Sequence, residues 1–402
     1  MWLYSSSNFR NWNFKRLSVE ATSSGTPQSL HYKVWFCGVS TRGGNPANQH
    51  VQFGILWLLF LRIPKQRWLT HYIESLLISN CTKLDLLLPE LFRCHHPTLE
   101  NLSINGGTYD NSLPLSFSIL DISPRLTNFT INGLKGLEKL YISISEGDPT
   151  SLRKLEIKGC ANLVYIQLPA LDSVSHEIHN CSKLKLLAHT HSSLQKLSLM
   201  YCPELLFHKE GLPSSLRELQ IWFCNQLTFQ VDWDLQRLAS LTHFTIFGGC
   251  EDVELFPKEC LLPSSLTFLA IYGLPNLKSL DSKGLQQLTS LVKLDIRKCP
   301  ELQSLTGSVL QHLVSLKELQ IQHCPRLQSL TEAGLHYLTT LEILHIYSCR
   351  EFQYLTRKRL SDSVSCLIVD PCPLLKQQCQ FEKGPEWCYI SHIPNIIINE
   401  LF

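Results

Sequence analysis

Ten of the sixteen cysteines fall in one repeating column: Cys81, Cys160, Cys181, Cys202, Cys224, Cys250, Cys299, Cys324, Cys349 and Cys372. Thiols in such number could bind metal, form disulfides or act as nucleophiles, and each role needs its own spacing. A structural zinc site takes Cys or His in pairs about two to four residues apart. Here Cys299, Cys324 and Cys349 recur every 25 residues, and Cys160, Cys181 and Cys202 every 21. The terminal group Cys366, Cys372, Cys379 and Cys388 fits no zinc template either. The pairs His95-His96 and His189-Thr190-His191 have no carboxylate or thiol at a useful distance and read as surface histidines. There is no G-x-S-x-G nucleophile turn and no H-E-x-x-H zinc helix. The residues therefore predict no catalytic group, no metal and no cofactor, and the chain is read as a non-enzyme. The column thiols are expected to be reduced and buried, packing as small apolar groups.

A second set of residues has the right types and spacing for recognition. It emerges once the column is placed in its longer phrase, S-L-x-x-L-x-I-x-x-C-P-x-L-x-S-L. Ser290 to Leu305 reads SLVKLDIRKCPELQSL, Ser315 to Leu330 reads SLKELQIQHCPRLQSL, and Thr340 to Leu355 reads TLEILHIYSCREFQYL. Further copies begin at Ser265, Ser240, Ser215, Ser193 and Ser151, and weaker ones lie around Leu76, Leu102 and Phe129. One copy near Ile178 carries His176 in place of its leading Leu. In this phrase Leu294 and Ile296 alternate with polar residues, the period of a half-buried strand. The third, fifth and seventh places of L-x-x-L-x-I-x then face solvent. Along consecutive copies the seventh place holds Met200, Trp222, Phe247, Tyr272, Arg297, Gln322 and Tyr347, and the third adds Phe268. Aromatic rings on successive strands would lie about 4.8 Å apart. Such a row, ringed by charge, has the composition of a protein-binding hot spot. The alternative is that these rings only strengthen cross-strand pairing. The residues predicted to bind protein are Trp222, Phe247, Tyr272, Phe268, Arg297 and Tyr347.

The elements that position this row follow from the same phrase. A period of about 20 to 29 residues with L-x-x-L-x-L is that of leucine-rich repeats. One strand per repeat stacks into a parallel sheet on the concave wall of a curved horseshoe. Pro203, Pro300 and Pro325 end their strands, because proline cannot continue a ladder. Leu285, Leu288 and Leu291, and Leu310, Leu313 and Leu316, are spaced for helical or 3₁₀ turns on the convex wall. Gly211-Leu212-Pro213 and Leu261-Leu262-Pro263 read as extended links. The expected fold is α/β: a leucine-rich-repeat solenoid with a parallel concave sheet and short helical or irregular convex segments. The array is placed at 66–370 and a closing cap at 371–402. Residues 1–65 are poorly periodic and unassigned.

The totals narrow the class further. Of the 402 residues 44% are hydrophobic and 17% charged, so the chain folds and is not disordered. A net charge of +2 gives no basic stripe for nucleic acid. The longest apolar run, Phe53 to Leu61, is too short for a bilayer, which needs about 20 residues. It also lies too far in for a secretory signal. The expectation is a cytoplasmic protein without a membrane span.

The phrase with C-P-x-L-x-S-L resembles the leucine-rich-repeat region of plant coiled-coil nucleotide-binding disease-resistance proteins, the NLR immune receptors. The closing segment extends the likeness: Cys372 to Leu375, Cys379, Glu382 to Gly384, Trp387, and Ile390 to Pro394 before an Ile strand. The resemblance covers roughly residues 66 to 402. It implies an arm that binds a pathogen effector or an altered host protein, and that packs on the receptor's nucleotide-binding domain. The departures are as informative. The family's P-loop needs a Gly-Lys pair, and this chain has none. Its Met-His-Asp switch motif is absent too. The chain is expected to bind no nucleotide and to be a truncated receptor or gene model. A rival reading is a substrate-recognition subunit of an F-box ubiquitin ligase. Those proteins also use L-x-x-L-x-L-x-x-C repeats, but they tend to continue with Ile-Thr-Asp where this chain continues Pro-x-Leu-x-Ser-Leu.

Overall fold

The computed structural model describes residues 74–398 outside 81–83, 94–95, 111–113, 144–150, 169–174, 190–193, 208–211, 226–234, 304, 306–308 and 331–333. It also describes an antiparallel hairpin of Val19–Ser23 with Leu30–Val34. The apolar run Phe53 to Leu61, Cys81, His95 and the domain boundary at 65/66 lie outside the described residues. The chain divides into two compact units, Met1–His191 and Ser192–Phe402.

In the first unit, strands Ser75–Ser79, Asn101–Asn105, Asn128–Asn132, Lys154–Lys158 and Ser175–His179 pair in parallel and in chain order. In the second unit a parallel ladder of the same kind runs through Lys196–Met200, Glu218–Trp222, His243–Phe247, Phe268–Tyr272, Lys293–Arg297, Glu318–Gln322, Ile343–Tyr347, Cys366–Asp370 and Asn395–Ile398. Equivalent repeat positions pair throughout. Leu197, Leu219, Phe244, Leu269, Leu294, Leu319 and Leu344 form one buried row, and Leu199, Ile221, Ile246, Ile271, Ile296, Ile321 and Ile346 form the next. No single repeat could bury such a face alone, so each repeat is stabilised by its neighbours. His176 occupies its Leu position as expected and is buried opposite Leu155. By contrast His96, expected at the surface, is buried, and its backbone N–H donates to Ile122 O at 2.9 Å.

In the repeats from Ser75–Ser79 to Ile343–Tyr347 the residue after the strand, the eighth place, has a left-handed backbone. It is Asn80, Gly106, Gly133, Gly159 and Asn180 in the first unit, and Tyr201, Phe223, Gly248, Gly273, Lys298, His323 and Ser348 in the second. This turn has two consequences. Its N–H adds one more rung to the ladder: Phe223 N–H donates to Phe247 O, and Gly248 N–H to Tyr272 O, both at 2.8 Å. It also swings the ninth residue inward, where the cysteines lie. Cys160, Cys181, Cys202, Cys224, Cys299, Cys324 and Cys349 are buried and unbridged. Each donates its S–H to the carbonyl two residues back, at 3.5 Å. The thiol thus fills an apolar slot and gives a strand-end carbonyl such as Trp222 O, which already accepts the Tyr201 N–H, a second and weaker donor. Burial pushes the Cys250 and Cys379 thiols up to about 12, which keeps them protonated.

The convex side partly follows expectation. A helical turn forms at Ser282–Leu285, and 3₁₀ turns at Leu235–Arg237, Val309–His312 and Leu335–Tyr337. One feature was not anticipated. The L-x-S-L end of the phrase makes a second parallel sheet in the first unit, from Leu115–Ser118, Lys139–Ser143, Tyr165–Leu168 and Leu186–His189. After the turn that ends the first strand, where Ala161 or Ser182 stands in the proline's place, the apolar-polar alternation resumes, as in Ile166-Gln167-Leu168. In the closing segment, the helices Pro373–Gln378 and Trp387–Ile390 precede the last strand. Buried Glu386 ties this segment to the repeats by accepting the Leu355 N–H at 2.9 Å.

Candidate functional site

The outward row of the second unit is built by strand register. Met200, Trp222, Phe247, Tyr272 and Arg297 are cross-strand neighbours in sequence. Trp222 and Phe247 stack with centroids 5.1 Å apart and planes 10° from parallel. Phe247 meets Tyr272 edge-on at 6.1 Å. The Arg297 guanidinium lies 5.2 Å from the centre of the Tyr272 ring, within the range of a cation–π contact. Four of the six predicted residues therefore form one continuous chain of contacts.

The other two stand apart from it. Phe268, in the third-place row, pairs with His243 at 5.6 Å. Tyr347 lies beyond Gln322 and packs edge-on against His323 at 5.1 Å.

Between the two outward rows lies the fifth place, which holds Thr245, Ala270 and Asp295 and is closed to solvent. Ala270 is 0% exposed and Asp295 1%. The aromatic rings lean over this floor, so the surface is a closed pad and not an open groove. Asp295 holds the far end in place. It accepts the Tyr272 hydroxyl at 2.8 Å, Arg297 Nε at 2.8 Å and Arg297 Nη2 at 2.6 Å. Arg297 Nη2 also donates to Gln320 Oε1 at 3.1 Å. Burial and the hydrogen bond to Asp295 raise the Tyr272 pKa well above the ordinary tyrosine value. His345 is shifted down by burial and by the Arg297 charge, which favours its neutral form. The remaining charges around the pad are paired: Lys196 with Glu218 at 3.0 Å, and Lys293 with Glu318 at 3.0 Å.

Two further aromatics, not anticipated from the sequence, extend the pad past the strand ends. Tyr201 and Phe223 stack at 4.9 Å with planes 10° apart, and Phe223 meets Phe247 at 4.8 Å. Both have left-handed backbones, which cost a non-glycine residue about 1–2 kcal/mol. The Phe223 ring lies over Gly248, where a Cβ would come within 2.5 Å of it. The signal that would have exposed them is the eighth-place column itself. Its first-unit members are all Asn or Gly, and two adjacent aromatics there break the rule.

A cavity lies elsewhere. It has a volume of about 790 Å³ and sits in the closing segment, where Phe381, Trp387, Ile396 and Ile398 line it. Among the described residues no three His, Cys, Asp or Glu side chains are grouped to hold a metal ion.

No family model matches the chain. Over 220 residues, 53% of the chain, it is 31% identical to the Arabidopsis thaliana protein named "Putative disease resistance protein At3g14460". The chain spans 15% of that protein's length. Solved structures similar to it include the Toll–Spatzle complex of Drosophila (14% identity, TM-score 0.40, 93% of this chain and 54% of that one). Others are the TLR13–ssRNA13 complex (16%, 0.37, 82% and 62%) and an internalin of Listeria monocytogenes (14%, 0.30, 82% and 88%). The repeat phrase and the parallel pairing of equivalent positions give the chain a leucine-rich-repeat fold. The likeness of its repeats to those of a plant disease resistance protein agrees with the C-P-x-L-x-S-L phrase.

Proposed function

We propose that the chain is a protein-recognition module whose contact surface is the outward face of the second unit, centred on Trp222, Phe247 and Tyr272. The observation that carries this reading is the closed aromatic pad. Large rings stay half exposed over a sealed floor, and Asp295 fixes the Tyr272–Arg297 end before any partner arrives. A surface ordered in advance loses little freedom on binding, and rigid aromatics with an arginine are the residues that dominate protein interfaces. The relationship to a disease resistance protein supports a role in plant defence, with a pathogen effector or an effector-altered host protein as the partner and a receptor's nucleotide-binding domain as a second contact. The absence of a Gly-Lys pair argues against a nucleotide switch within this chain. The buried column thiols are unbridged, as suits the reducing cytoplasm. Among the described residues no helix is long and apolar enough to cross a membrane.

A photo-crosslinking amino acid placed at Gln220 or Gln322 in the full chain, expressed in leaf tissue, tests the reading. Crosslinks to one defined protein are expected, and a W222A/Y272A double variant with unchanged far-UV circular dichroism should lose them. Equal crosslinking by that variant would refute the pad as the contact surface.

A further inference from the structure

We propose that the contact surface extends past the strand ends onto Tyr201 and Phe223, and that it takes an uncharged, apolar segment of the partner protein. This rests on the pad being the recognition surface and adds its extent and the chemistry of its ligand.

Three costs to the fold converge on one patch. Tyr201 is left-handed and 46% exposed, although Asn80 and Asn180 show which residue suits that turn. Phe223, also left-handed, carries its ring onto Gly248 and Phe247. The Trp222 indole N–H is buried without a hydrogen-bond acceptor. Local costs of this kind persist where something other than stability maintains them. The ligand's chemistry follows from the charges. Lys196, Lys293 and Arg297, the cations beside the rings, are engaged by Glu218, Glu318 and Asp295 respectively, and Lys298 stands farther along the eighth-place row, with Gly248 and Gly273 between it and Phe223. A partner carboxylate or phosphate would have to displace an existing pair. An apolar, aromatic or prolyl segment stacks on the rings without that loss. The same balance disfavours single-stranded RNA, which needs a positive track beside the aromatic faces.

Selection of a display library of short random peptides against the full chain tests this, with oligouridylate as a parallel probe. Enrichment of aromatic, prolyl and aliphatic residues is expected, with binding that survives high salt. Tyr201→Asn should weaken the selected peptides about tenfold. It should also raise the melting temperature, because it relieves the left-handed strain; Tyr201→Gly should behave alike. Selection of charged peptides released by salt, binding of oligouridylate in their place, or no selection at all overturns the ligand assignment. Unchanged peptide affinity, or a lower melting temperature for both variants, overturns the extension, since the ring would then serve packing. If W222A/Y272A loses the peptides while Tyr201→Asn keeps them, only the extension fails. If both variants keep them, the pad itself fails as the recognition surface.

Discussion

Asp295 makes a sharp prediction because one buried carboxylate organises two outward side chains. Substitution by alanine removes three accepted hydrogen bonds, one from the Tyr272 hydroxyl and two from Arg297. Stripping one partner from a fully buried ion pair costs about 3–5 kcal/mol. That figure is an upper bound here, because the Arg297 side chain is 38% exposed and can turn to water. The tyrosine hydroxyl, half-buried, loses its acceptor at about 1 kcal/mol. The expected cost of Asp295→Ala is therefore about 2 kcal/mol. Asp295→Asn keeps an acceptor for Tyr272 but loses the charge, and should cost about 1 kcal/mol. Urea unfolding of the full chain followed by circular dichroism measures both. A double-mutant cycle with Arg297→Met should return a coupling of about 1 kcal/mol. The pair also carries a pH signature. The unfolded tyrosine loses its proton near its ordinary value of about 10, while Tyr272 in the fold, raised by burial and by Asp295, keeps it to higher pH. Its contribution is whole below pH 10 and is lost as pH rises beyond that. Tyr272→Phe should flatten the alkaline fall in stability. A wild-type unfolding midpoint in Asp295→Ala, or zero coupling to Arg297, would refute the view that this carboxylate orders the pad.

Two predictions concern the rest of the chain. Burial raises the Glu386 pKa above the usual carboxylate range of about 4.5, so its contribution is whole below that pH and declines as pH rises through the folded value. Glu386→Gln keeps an acceptor for Leu355 N–H, and its melting temperature should fall less than that of the wild type between pH 4 and 7; parallel curves would show that the carboxylate is not desolvated. Among the described cysteines, Cys260 and Cys388 are exposed while the column thiols are buried. A thiol reagent on the native chain, read by peptide mass spectrometry, should label those two quickly and Cys299, Cys324 and Cys349 only at the rate of unfolding. Fast labelling of the column would contradict its role as packing.

Much of the fold could be read from the phrase because a repeat states its rule many times. Leu294 and Ile296 fix which face is buried, and parallel register carries the assignment from strand to strand. The second sheet was missed because the alternation after the column is short, as in Ile166-Gln167-Leu168, and a run of that length does not by itself distinguish a strand from a turn. His96 was assigned to the surface because no carboxylate or thiol stood at a useful spacing, yet it is buried, with its backbone N–H bonded to Ile122 O. For the candidate site, alternation located Trp222, Phe247, Tyr272 and Arg297 as neighbours. It could not supply the contact between them and Asp295, because alternation places a fifth-place aspartate in solvent. Asp295 is buried only because the rings on either side close over it. Tyr201 and Phe223 were invisible for a related reason. Their importance lies in a backbone sign that side-chain periodicity does not encode.

The two units carry buried rows of the same kind beneath different outward faces. In the first, the third-place row is Ser75, Asn101, Asn128 and Lys154, and its amides bond along the sheet, Asn128 Nδ2 to Asn101 Oδ1 at 2.7 Å and Asn101 Nδ2 to Ser75 Oγ at 3.2 Å. In the second, that row holds Lys196, Glu218, His243, Phe268, Lys293 and Glu318, so ion pairs such as Lys196–Glu218 and Lys293–Glu318 stand in place of the amides, while the buried rows are again mostly Leu and Ile. Folding free energy comes mainly from those buried rows, which pair like with like in every repeat. The outward places contribute little to it and are free to differ. That freedom has a limit at the eighth place, where the backbone must be left-handed and side chains other than Asn or Gly carry a cost. Lys298, His323 and Ser348 carry the same backbone cost in that row, so it is the two stacked rings of Tyr201 and Phe223 together with the backbone sign, and not the sign alone, on which the proposed extension of the contact surface rests.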